Sequence, residues 1–239
     1  MMLAILQARM SSTRLPGKVL ADLAGAPMIL RQLERLRRAR RLDRIIVATS
    51  TDPSDDILAE TLRAAGETVF RGPLDDVLGR FVQAMDAFGP ARTVARLTAD
   101  CPLADPQVID ATAALLEASG ADYVSNTGAG RTFPKGLDVE VFRADALRAA
   151  AAETVDPYDR EHVTPFIYRR PERFALAFHA QAADEGDVRW TVDRPDDLQF
   201  VRAVYEALYP ADHAFTSQAV RAFVGGRPDL MLLGGDRRI

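Results

Sequence analysis

The stretch LAILQARMSSTRLPGK, residues 3–18, decides the fold because it joins a short apolar strand to a basic loop. The aliphatic run at 3–6 is typical of a strand buried in a core. The loop then places Arg9, Arg14 and Lys18 among two serines, a threonine and a Pro-Gly turn. A loop that leaves the carboxyl end of a first strand lies where open α/β sheets bind ligands. We therefore expect an α/β fold whose ligand site begins at this loop.

The residues that follow alternate short β-branched or aliphatic runs with amphipathic stretches. The predicted strands are 3–8, 44–49, 68–70, 93–97 and 122–125, with a helix between each consecutive pair. Helix signals support this pattern: Ser54 is a plausible N-cap, Pro106 begins a helix and Gly120 ends it. The alternation predicts a Rossmann-like, mostly parallel central sheet flanked by helices.

The pattern changes after residue 125, where we predict an insertion over about 126–183. Apolar alternation predicts further strands at 137–142, 173–180 and 188–192, the last returning to the sheet, and an alanine-rich helix at 143–152. A helix over 195–208 begins at a proline and has acidic residues in its first turn. We expect one domain over 1–224, followed by a C-terminal tail at 225–239.

Composition excludes several classes of protein. The 239 residues carry a formal net charge of -4, which disfavours a general nucleic-acid binder. The arginine-rich stretch 35–44 continues the apolar face of a helix, so we place its arginines on the solvated side. The single cysteine excludes an intrachain disulfide and a multi-cysteine metal site, and the three scattered histidines do not resemble a zinc cluster. No stretch approaches the roughly 20 apolar residues of a membrane span, and no amino-terminal signal is visible, so we expect a cytoplasmic protein.

The basic loop has the chemistry of a polyphosphate site. Arg9 and Arg14 can bond phosphate oxygens in pairs, and Lys18 supplies a compact positive charge. The hydroxyls of Ser11 and Ser12 add neutral donors. The loop lacks the spacing of the Walker motif and of the dinucleotide motif GxGxxG, so it is neither of those phosphate loops. The alternative is that these cations are simply solvated loop residues.

Two aspartates follow predicted strands in RLTADCPLADP, residues 96–106, and RWTVDRPDDL, residues 189–198. Asp100 ends a strand at the same edge of the sheet as the basic loop, and Asp193 precedes a helix. Carboxylates placed in this way can hold Mg²⁺, which takes its remaining ligands from phosphate and water. The alternative for each is a capping or turn aspartate. Together with the basic loop they indicate phosphoryl or nucleotidyl transfer.

These motifs resemble the cytidylyltransferase family named after spore-coat polysaccharide biosynthesis, which is related to CMP-Kdo and CMP-sialate synthetases. The resemblance runs from about residue 3 to residue 208, and its remaining motifs are VFRGPLDDVLGR, DYVSNT, FPKGLDVEVF and REHVTPFI. It implies a nucleotidyltransferase fold. It also implies an enzyme that uses CTP and Mg²⁺ to activate a sugar acid, sugar phosphate or related small acceptor, with release of pyrophosphate.

The resemblance assigns residues to the nucleotide and the metal. The implied nucleotide-binding residues are Ala8, Arg9, Ser11, Ser12, Arg14, Lys18, Arg71 and Thr98. Asp100 and Asp193 form the implied metal pair and act in catalysis with Arg14 and Lys18. Thr98 stands where the related synthetases have a glutamine near the cytosine, so base recognition is expected from backbone groups at Ala8 and Arg9. The alternative for Arg71 is an ion pair with a nearby aspartate, Asp75 or Asp76.

The predicted insertion is expected to bind the acceptor, because the nucleotide occupies the first half of the chain. The candidates are Asn126, Arg131, Asp138, Glu140, Glu161 and His162. Alternation along LDVEV puts Asp138 and Glu140 on one strand face, where they either bind sugar hydroxyls or are merely solvated. His162 is either a base, a phosphate contact or a structural residue. Lys135 departs from the acidic residue more common in relatives.

Further expectations concern assembly and the alternative functions. The resemblance implies a homodimer with its interface in the predicted insertion. One alternative is a nucleotide-sugar-dependent glycosyltransferase, although the DxD motif of such enzymes is missing at residues 100–102. The other is a nucleotide-binding protein that has lost turnover.

Overall fold

A computed structural model of the chain describes residues 1–128 and 130–235 and is built around a seven-stranded sheet. The strands of this sheet are β1 (Met2–Gln7), β4 (Arg44–Ser50), β5 (Val69–Gly72), β6 (Thr93–Thr98), β7 (Tyr123–Ser125), β8 (Glu140–Arg143) and β9 (Leu176–Phe178). Their order is β5-β4-β1-β6-β8-β7-β9, and β8 alone runs antiparallel to its neighbours. A small hairpin of β2 (Asp22–Leu23) and β3 (Ala26–Pro27) lies apart from the sheet. The predicted Rossmann-like, mostly parallel sheet is confirmed.

The helices connect the strands and pack on both faces of the sheet. They are α1 (Met28–Leu36), α2 (Asp56–Ala64), α3 (Val77–Phe88), α4 (Pro106–Ser119), α5 (Ala144–Glu153), α6 (Pro157–His162), α7 (Pro165–Tyr168), α8 (Pro195–Leu208) and α9 (Ser217–Gly225). One buried cluster contains apolar residues of α1, α2, α4, α8 and α9, and the other contains those of α3, α5 and α7. This is the layered arrangement that βα repeats produce.

Strand β1 shows why the opening stretch is a strand. Ala4 and Leu6 belong to the core cluster on one face of the sheet, whereas Leu3 and Ile5 belong to the cluster on the other. All four side chains are completely buried. A central parallel strand is covered on both faces, so its sequence is a continuous apolar run without alternation.

Several helix ends lie where the sequence signals place them. Helix α4 begins at Pro106, and Gly120 at its end has the left-handed conformation, with φ of 68°. Helix α8 has the predicted bounds. The prediction for Ser54 is wrong, because Asp52 caps a short 3-10 turn there and accepts a hydrogen bond from Ser54 N at 2.9 Å. Helix α2 begins only after this turn.

Two predicted strands of the second half are corrected by the structure. Strand β8 begins only at Glu140, so the first half of the predicted strand 137–142 lies outside the sheet. Residues 188–192 do not return to the sheet but pair with a loop at Lys135, which bonds Val188 O at 2.8 Å and Trp190 N at 2.7 Å. Val188, Trp190 and Val192 are buried. The alternation of apolar residues at 188–192 therefore reflects packing against the core and not hydrogen bonding within the seven-stranded sheet.

The predicted insertion extends the central sheet. It contributes β8 and β9, and its helix α5 is shifted by one residue from the predicted 143–152. The predicted tail contains a 3-10 turn, Leu230–Gly235, in which Leu230 is buried against the core, and residues 236–239 lie outside the described part of the chain. Among the helices of the described residues, none has the length and apolar character needed to cross a membrane.

Candidate active site

A basic cleft of about 350 Å³ lies at the carboxyl ends of β1 and β6. From β1 the chain adds β4 and β5 on one side of this strand and then β6 on its other side, so the strand order reverses between β1 and β6. Open α/β sheets form ligand sites at such a reversal. Of the sequence-predicted residues, the cleft is lined by Ala8, Arg9, Ser12, Arg14, Lys18, Thr98, Asp100, Glu161, His162 and Asp193. The structure thus brings together four motifs that are distant in sequence.

The basic loop is held in place by a buried carboxylate. Asp55 is completely buried and accepts hydrogen bonds from Met10 N at 2.7 Å and from Ser50 N at 3.0 Å. The loop closes on itself, because Gly17 N donates to Met10 O at 2.9 Å. Gly17 has a φ of 74°, which an L side chain rarely adopts. The Pro-Gly turn and Asp55 therefore set the path of the loop.

Lys18 connects the two aspartates that were predicted to bind metal. Its ammonium donates to Asp193 Oδ1 at 3.0 Å and to Val192 O at 2.5 Å, and it lies 3.7 Å from Asp100 Oδ2. Arg14 also pairs with Asp193 Oδ1 at 3.0 Å. Asp100 has fewer cationic partners, since its Oδ1 accepts from the Thr98 hydroxyl at 2.6 Å and from the Cys101 thiol at 3.4 Å, while Oδ2 faces only the lysine among the described residues.

Asp193 is positioned by a second buried carboxylate. Asp197, in the first turn of α8, is 1% exposed and accepts hydrogen bonds from Asp193 N and Arg194 N, each at 2.8 Å. Arg189 pairs with both aspartates, at 2.8 Å from Asp193 and 3.0 Å from Asp197. Asp197 in the first turn of α8 thus holds the loop that carries Asp193 in place.

The donor set fits a magnesium ion. Asp100 and Asp193 already face one cation, the Lys18 ammonium, so their oxygens converge on a shared position. Within the described ranges, no group of three or more histidine, cysteine or acidic side chains is placed to hold a metal. Mg²⁺ commonly takes one or two protein carboxylates and completes its octahedral sphere with phosphate oxygens and water.

An adjoining cavity of about 570 Å³ meets the basic cleft, and Thr98 and His162 line both. Its wall contains the aromatic rings of Tyr158, Tyr168 and Phe178. Among the predicted acceptor residues, Arg131, Asp138, Glu140 and His162 line it. Asp138 and Glu140 face the same cavity, as alternation along LDVEV predicts.

Glu140 lies at the buried end of this cavity in a dense polar network. It pairs with the Arg96 guanidinium, and its Oε1 accepts hydrogen bonds from the hydroxyls of Tyr123 and Thr164, each at 2.6 Å. Burial opposes the charged carboxylate, but Arg96 and the two hydroxyls outweigh it and hold the pKa of Glu140 below its ordinary value. Glu140 is therefore a buried anion with strong internal partners and not a solvated strand residue.

A strained turn presents residues to both cavities. Val163, between α6 and α7, has a φ of 72° and a ψ of -54°, and Thr164 N donates to His162 O at 2.9 Å. These values define a γ-turn of the rare, strained type, which a β-branched residue seldom adopts. Val163 is completely buried, so the surrounding packing maintains the turn. The turn directs the chain from His162, between the cavities, to Thr164, which bonds Glu140.

The structure does not bring three predicted site residues to the cavities. Arg71 bonds Ser50 O at 2.7 Å and pairs with Asp56 at 2.7 Å, so it is an ion-paired residue as the alternative held, but with a different partner. Asn126 is buried and bridges Leu137 O and Val139 N, at 2.7 and 2.8 Å. Ser11 is exposed outside the cleft lining. Glu161 lines the basic cleft but not the adjoining cavity.

Sequence reasoning missed other lining residues, chiefly Arg80 in the cleft and Arg96, Tyr158, Tyr168 and Phe178 in the cavity. One further correction concerns the arginine-rich helix. Arg35 is not on the solvated side but is 2% exposed, with its guanidinium over the Phe215 ring at 4.3 Å. Other arginines of this stretch form ion pairs, including Arg37 with Glu67 and Arg38 with Glu34.

The fold and the cleft together define a nucleotidyltransferase. The structure of a cytidylyltransferase from Leptospira borgpetersenii superposes with a TM-score of 0.88 and 28% identity, over 96% of this chain and 95% of that one. A family model described as cytidylyltransferase matches residues 3–211. The chain therefore belongs to the cytidylyltransferase family, and the predicted family and fold are confirmed.

Two relatives place the chain within this family. It is 33% identical over 212 residues to the spore coat polysaccharide biosynthesis protein SpsF of Bacillus subtilis, which covers 85% of this chain and 86% of that protein. It is also 33% identical over 242 residues to a 3-deoxy-manno-octulosonate cytidylyltransferase of an Anaeromyxobacter species, with coverage of 85% and 97%. The similarity thus extends over nearly the whole length of both relatives.

Proposed function

We propose that this chain is a cytoplasmic, Mg²⁺-dependent enzyme that transfers CMP from CTP to a sugar acid, sugar phosphate or related small acceptor. One observation carries the proposal: a cleft lined by cations and two carboxylates opens beside a second, aromatic cavity, and Thr98 and His162 line both. A nucleotide in the cleft and an acceptor in the cavity would meet at these two residues. The relationship to SpsF supports a role in surface polysaccharide or glycan biosynthesis.

The proposed reaction is an in-line displacement at the α-phosphorus of CTP. An acceptor oxygen forms the new bond to phosphorus while the bond to the departing pyrophosphate breaks. Arg14, Lys18 and Arg9 neutralise charge on the pyrophosphate, which is the main contribution that a protein makes to this type of reaction. Mg²⁺ bound at Asp100 and Asp193 would supply further positive charge to the phosphates. In this proposal His162, which lines both cavities, receives the proton of an attacking hydroxyl.

The adjoining cavity has features of a site for a sugar-like acceptor. The rings of Tyr158, Tyr168 and Phe178 offer apolar surface to a sugar ring. Asp138 provides carboxylate oxygens for hydroxyl groups and is itself oriented by an ion pair with Arg131. The 3-deoxy-manno-octulosonate named in the relative is a sugar acid, and this supports the same class of acceptor here.

Nucleotide selectivity can be tested without knowing the acceptor. We expect CTP to raise the melting temperature more than UTP, ATP or GTP, and Mg²⁺ to enlarge the increase, because a ligand that binds only the folded chain stabilises it. The gain is about 2.7 kcal/mol when the ligand is at 100 times its Kd. Thermal unfolding with each nucleotide and with UDP-sugars, with and without Mg²⁺, measures this effect. A preference for UDP-sugars would contradict the proposal in favour of the glycosyltransferase, and no response to any nucleotide would also contradict it.

We also propose that the chain forms a homodimer through residues 126–183. Strand β9 is at the edge of the sheet, and Phe178 within it is 47% exposed. Val155 in the same region is 92% exposed. An edge strand and exposed apolar residues are each common features of interfaces between chains. Light scattering at micromolar concentration is expected to give the mass of a dimer, and the mass of a monomer would contradict this proposal.

A further inference from the structure

Helix α3 contributes a cation to the basic cleft that no sequence motif indicates. Arg80 lines the cleft although its side chain is nearly enclosed, with the residue 2% exposed. Its Nη1 donates to Pro73 O at 2.9 Å. Its Nε has no hydrogen-bond partner within residues 1–128 and 130–235. In the same ranges, no carboxylate lies within ion-pair distance of this guanidinium. Arg80 is thus a buried charge beside a cleft, without a carboxylate at ion-pair distance among these residues.

Such a charge is unfavourable in the unliganded protein. Burial lowers the pKa of Arg80 to about 10; the charges of Asp55 and Asp76 oppose this change, and the charge of Arg9 adds to it. The guanidinium nevertheless stays protonated at neutral pH. A buried ion without an oppositely charged partner raises the free energy of the folded protein, so the arrival or the removal of such a partner has a large effect on stability or binding. An anion that entered the cleft would therefore find a preferred partner here.

The position of Arg80 is set before any ligand binds. The nearby residue Gly72, at the end of β5, leaves a gap that the stem of Arg80 fills. A Cβ atom on Gly72 would lie 2.9 Å from Arg80 Cγ and 3.0 Å from the Phe70 ring. The stem therefore packs between the end of a strand and its own helix. Such preorganisation reduces the ordering that binding would otherwise require.

The other cations of the cleft differ in their partners. Arg14 and Lys18 both pair with Asp193. Arg9, which is exposed, has no ion-pair partner in the part of the chain that the structure describes, and its charge acts on Arg80. The unneutralised positive charge of the cleft is thus concentrated at Arg9 and Arg80. A polyphosphate would gain most from contacts at this side of the cleft.

We propose that Arg80 is a nucleotide-binding residue whose guanidinium pairs, together with Arg9, with a phosphate group of CTP. This inference depends on the proposed function for the identity of the nucleotide. The role of Arg80 is electrostatic: it binds nonbridging phosphate oxygens and forms no covalent bond. Its burial makes the contact stronger than that of an exposed arginine, because the ion pair is shielded from water.

Calorimetric titration of the full-length chain with cytidine, CTP and inorganic pyrophosphate tests this role. In Arg80→Met we expect the affinities for CTP and for pyrophosphate to fall by at least about 30-fold, since truncating one partner of a buried charge pair has effects of this size. The affinity for cytidine, which has no phosphate, should stay unchanged. A merely structural role would lower all three affinities together.

Two further variants complete the test, the first as a control and the second as an independent way to displace Arg80. Arg35 is as deeply buried as Arg80 and has an unpartnered Nη1 among the described residues, but it packs on Phe215 and does not line the cleft. Arg35→Met should therefore leave the affinities for CTP and pyrophosphate unchanged. Gly72→Ala keeps every charge but displaces the Arg80 stem, so it should weaken CTP binding and spare cytidine. It keeps the test decisive if Arg80→Met does not fold.

The outcomes separate this inference from the proposed function. Wild-type chain that binds CTP, with Arg80→Met or Gly72→Ala binding it equally well, would overturn the role of Arg80 and leave the proposed function standing. Equal losses in Arg80→Met and Arg35→Met would also overturn it. If the wild type binds pyrophosphate but does not prefer CTP, the proposed function fails. A selective loss of pyrophosphate binding in Arg80→Met would then still support Arg80 as the anion-binding residue.

Discussion

Replacing Asp100 by asparagine is expected to leave the fold intact and to lower the rate of pyrophosphate release by about two to three orders of magnitude. Asparagine can still accept the hydrogen bond from the Thr98 hydroxyl, and the Asp100 side chain is 29% exposed, so little stability depends on its charge. The lost charge, however, is one of the two that the proposed Mg²⁺ site requires. Asp100 is a cleaner test than Asp193, which also holds Arg14, Lys18 and Arg189.

The measurement is pyrophosphate release from CTP over a range of Mg²⁺ concentrations, with a panel of sugar acids and sugar phosphates as acceptors. The Mg²⁺-dependent part of the CTP affinity gives a second readout that needs no acceptor. Asp122→Asn is a matched control. The Asp122 side chain is 34% exposed, lies 3.7 Å from one cation, Arg143, and accepts one backbone hydrogen bond, but it precedes β7 and does not line the cleft. Near wild-type turnover of Asp100→Asn at saturating Mg²⁺ would show that the metal assignment is wrong.

Replacing Glu140 by glutamine is expected to lower the free energy of unfolding by about 3–5 kcal/mol at neutral pH. The substitution leaves the Arg96 guanidinium, whose side chain is only 15% exposed, without its anion, and it removes the acceptor charge for the hydroxyls of Tyr123 and Thr164. Denaturant unfolding of wild type and variant measures the difference. A difference below about 1 kcal/mol would contradict the importance of this network, since surface ion pairs contribute that little.

The same substitution has a predicted pH dependence. The folded chain holds the pKa of Glu140 below its ordinary value, so this carboxylate stabilises the fold above the unfolded pKa of about 4.3. That stabilisation is lost as the pH falls through the lower, folded pKa. The difference between wild type and Glu140→Gln should therefore be constant near neutral pH and shrink below about pH 4. Unfolding curves between neutral and acidic pH measure it.

A double variant provides the control for the Glu140 prediction. Arg96→Met in the Glu140→Gln background removes the orphaned cation, so the double variant should be more stable than additivity of the two single variants predicts. Replacing a buried ion pair by uncharged groups is often neutral or stabilising, whereas removing one partner is costly. Strict additivity would show that Arg96 and Glu140 do not depend on each other.

The part of the site that follows the parallel strands was predictable from the sequence. A strand followed by a loop, repeated along the chain, places each loop at the same edge of the sheet, so Arg14, Lys18 and Asp100 could be expected to meet. Asp193 was predicted from the motif before α8, although residues 188–192 do not form the strand that the prediction assumed. The position of Asp193 depends instead on hydrogen bonds to Asp197.

Other predictions concerned side chains whose partners are distant in sequence. Arg71 was expected at the nucleotide or in an ion pair with Asp75 or Asp76. It pairs instead with Asp56 on α2, the helix that follows the neighbouring strand β4. Asn126 was expected to contact the acceptor, but it bridges the backbone before β8. Nothing in the local sequence distinguishes an amide that binds a ligand from one that joins two backbone segments.

The sequence by itself determined the α/β class, the family and the residues of the basic loop and its aspartates, because these depend on local periodicity and on spacing within single motifs. Only the tertiary structure decided which charges are neutralised within the fold. It placed Glu140 in an internal ion pair with Arg96, and it left Arg80 buried beside the cleft with no carboxylate partner among the described residues. The physical reason is that the energy of a buried charge depends on the distances to groups far away in the sequence, and packing alone sets those distances.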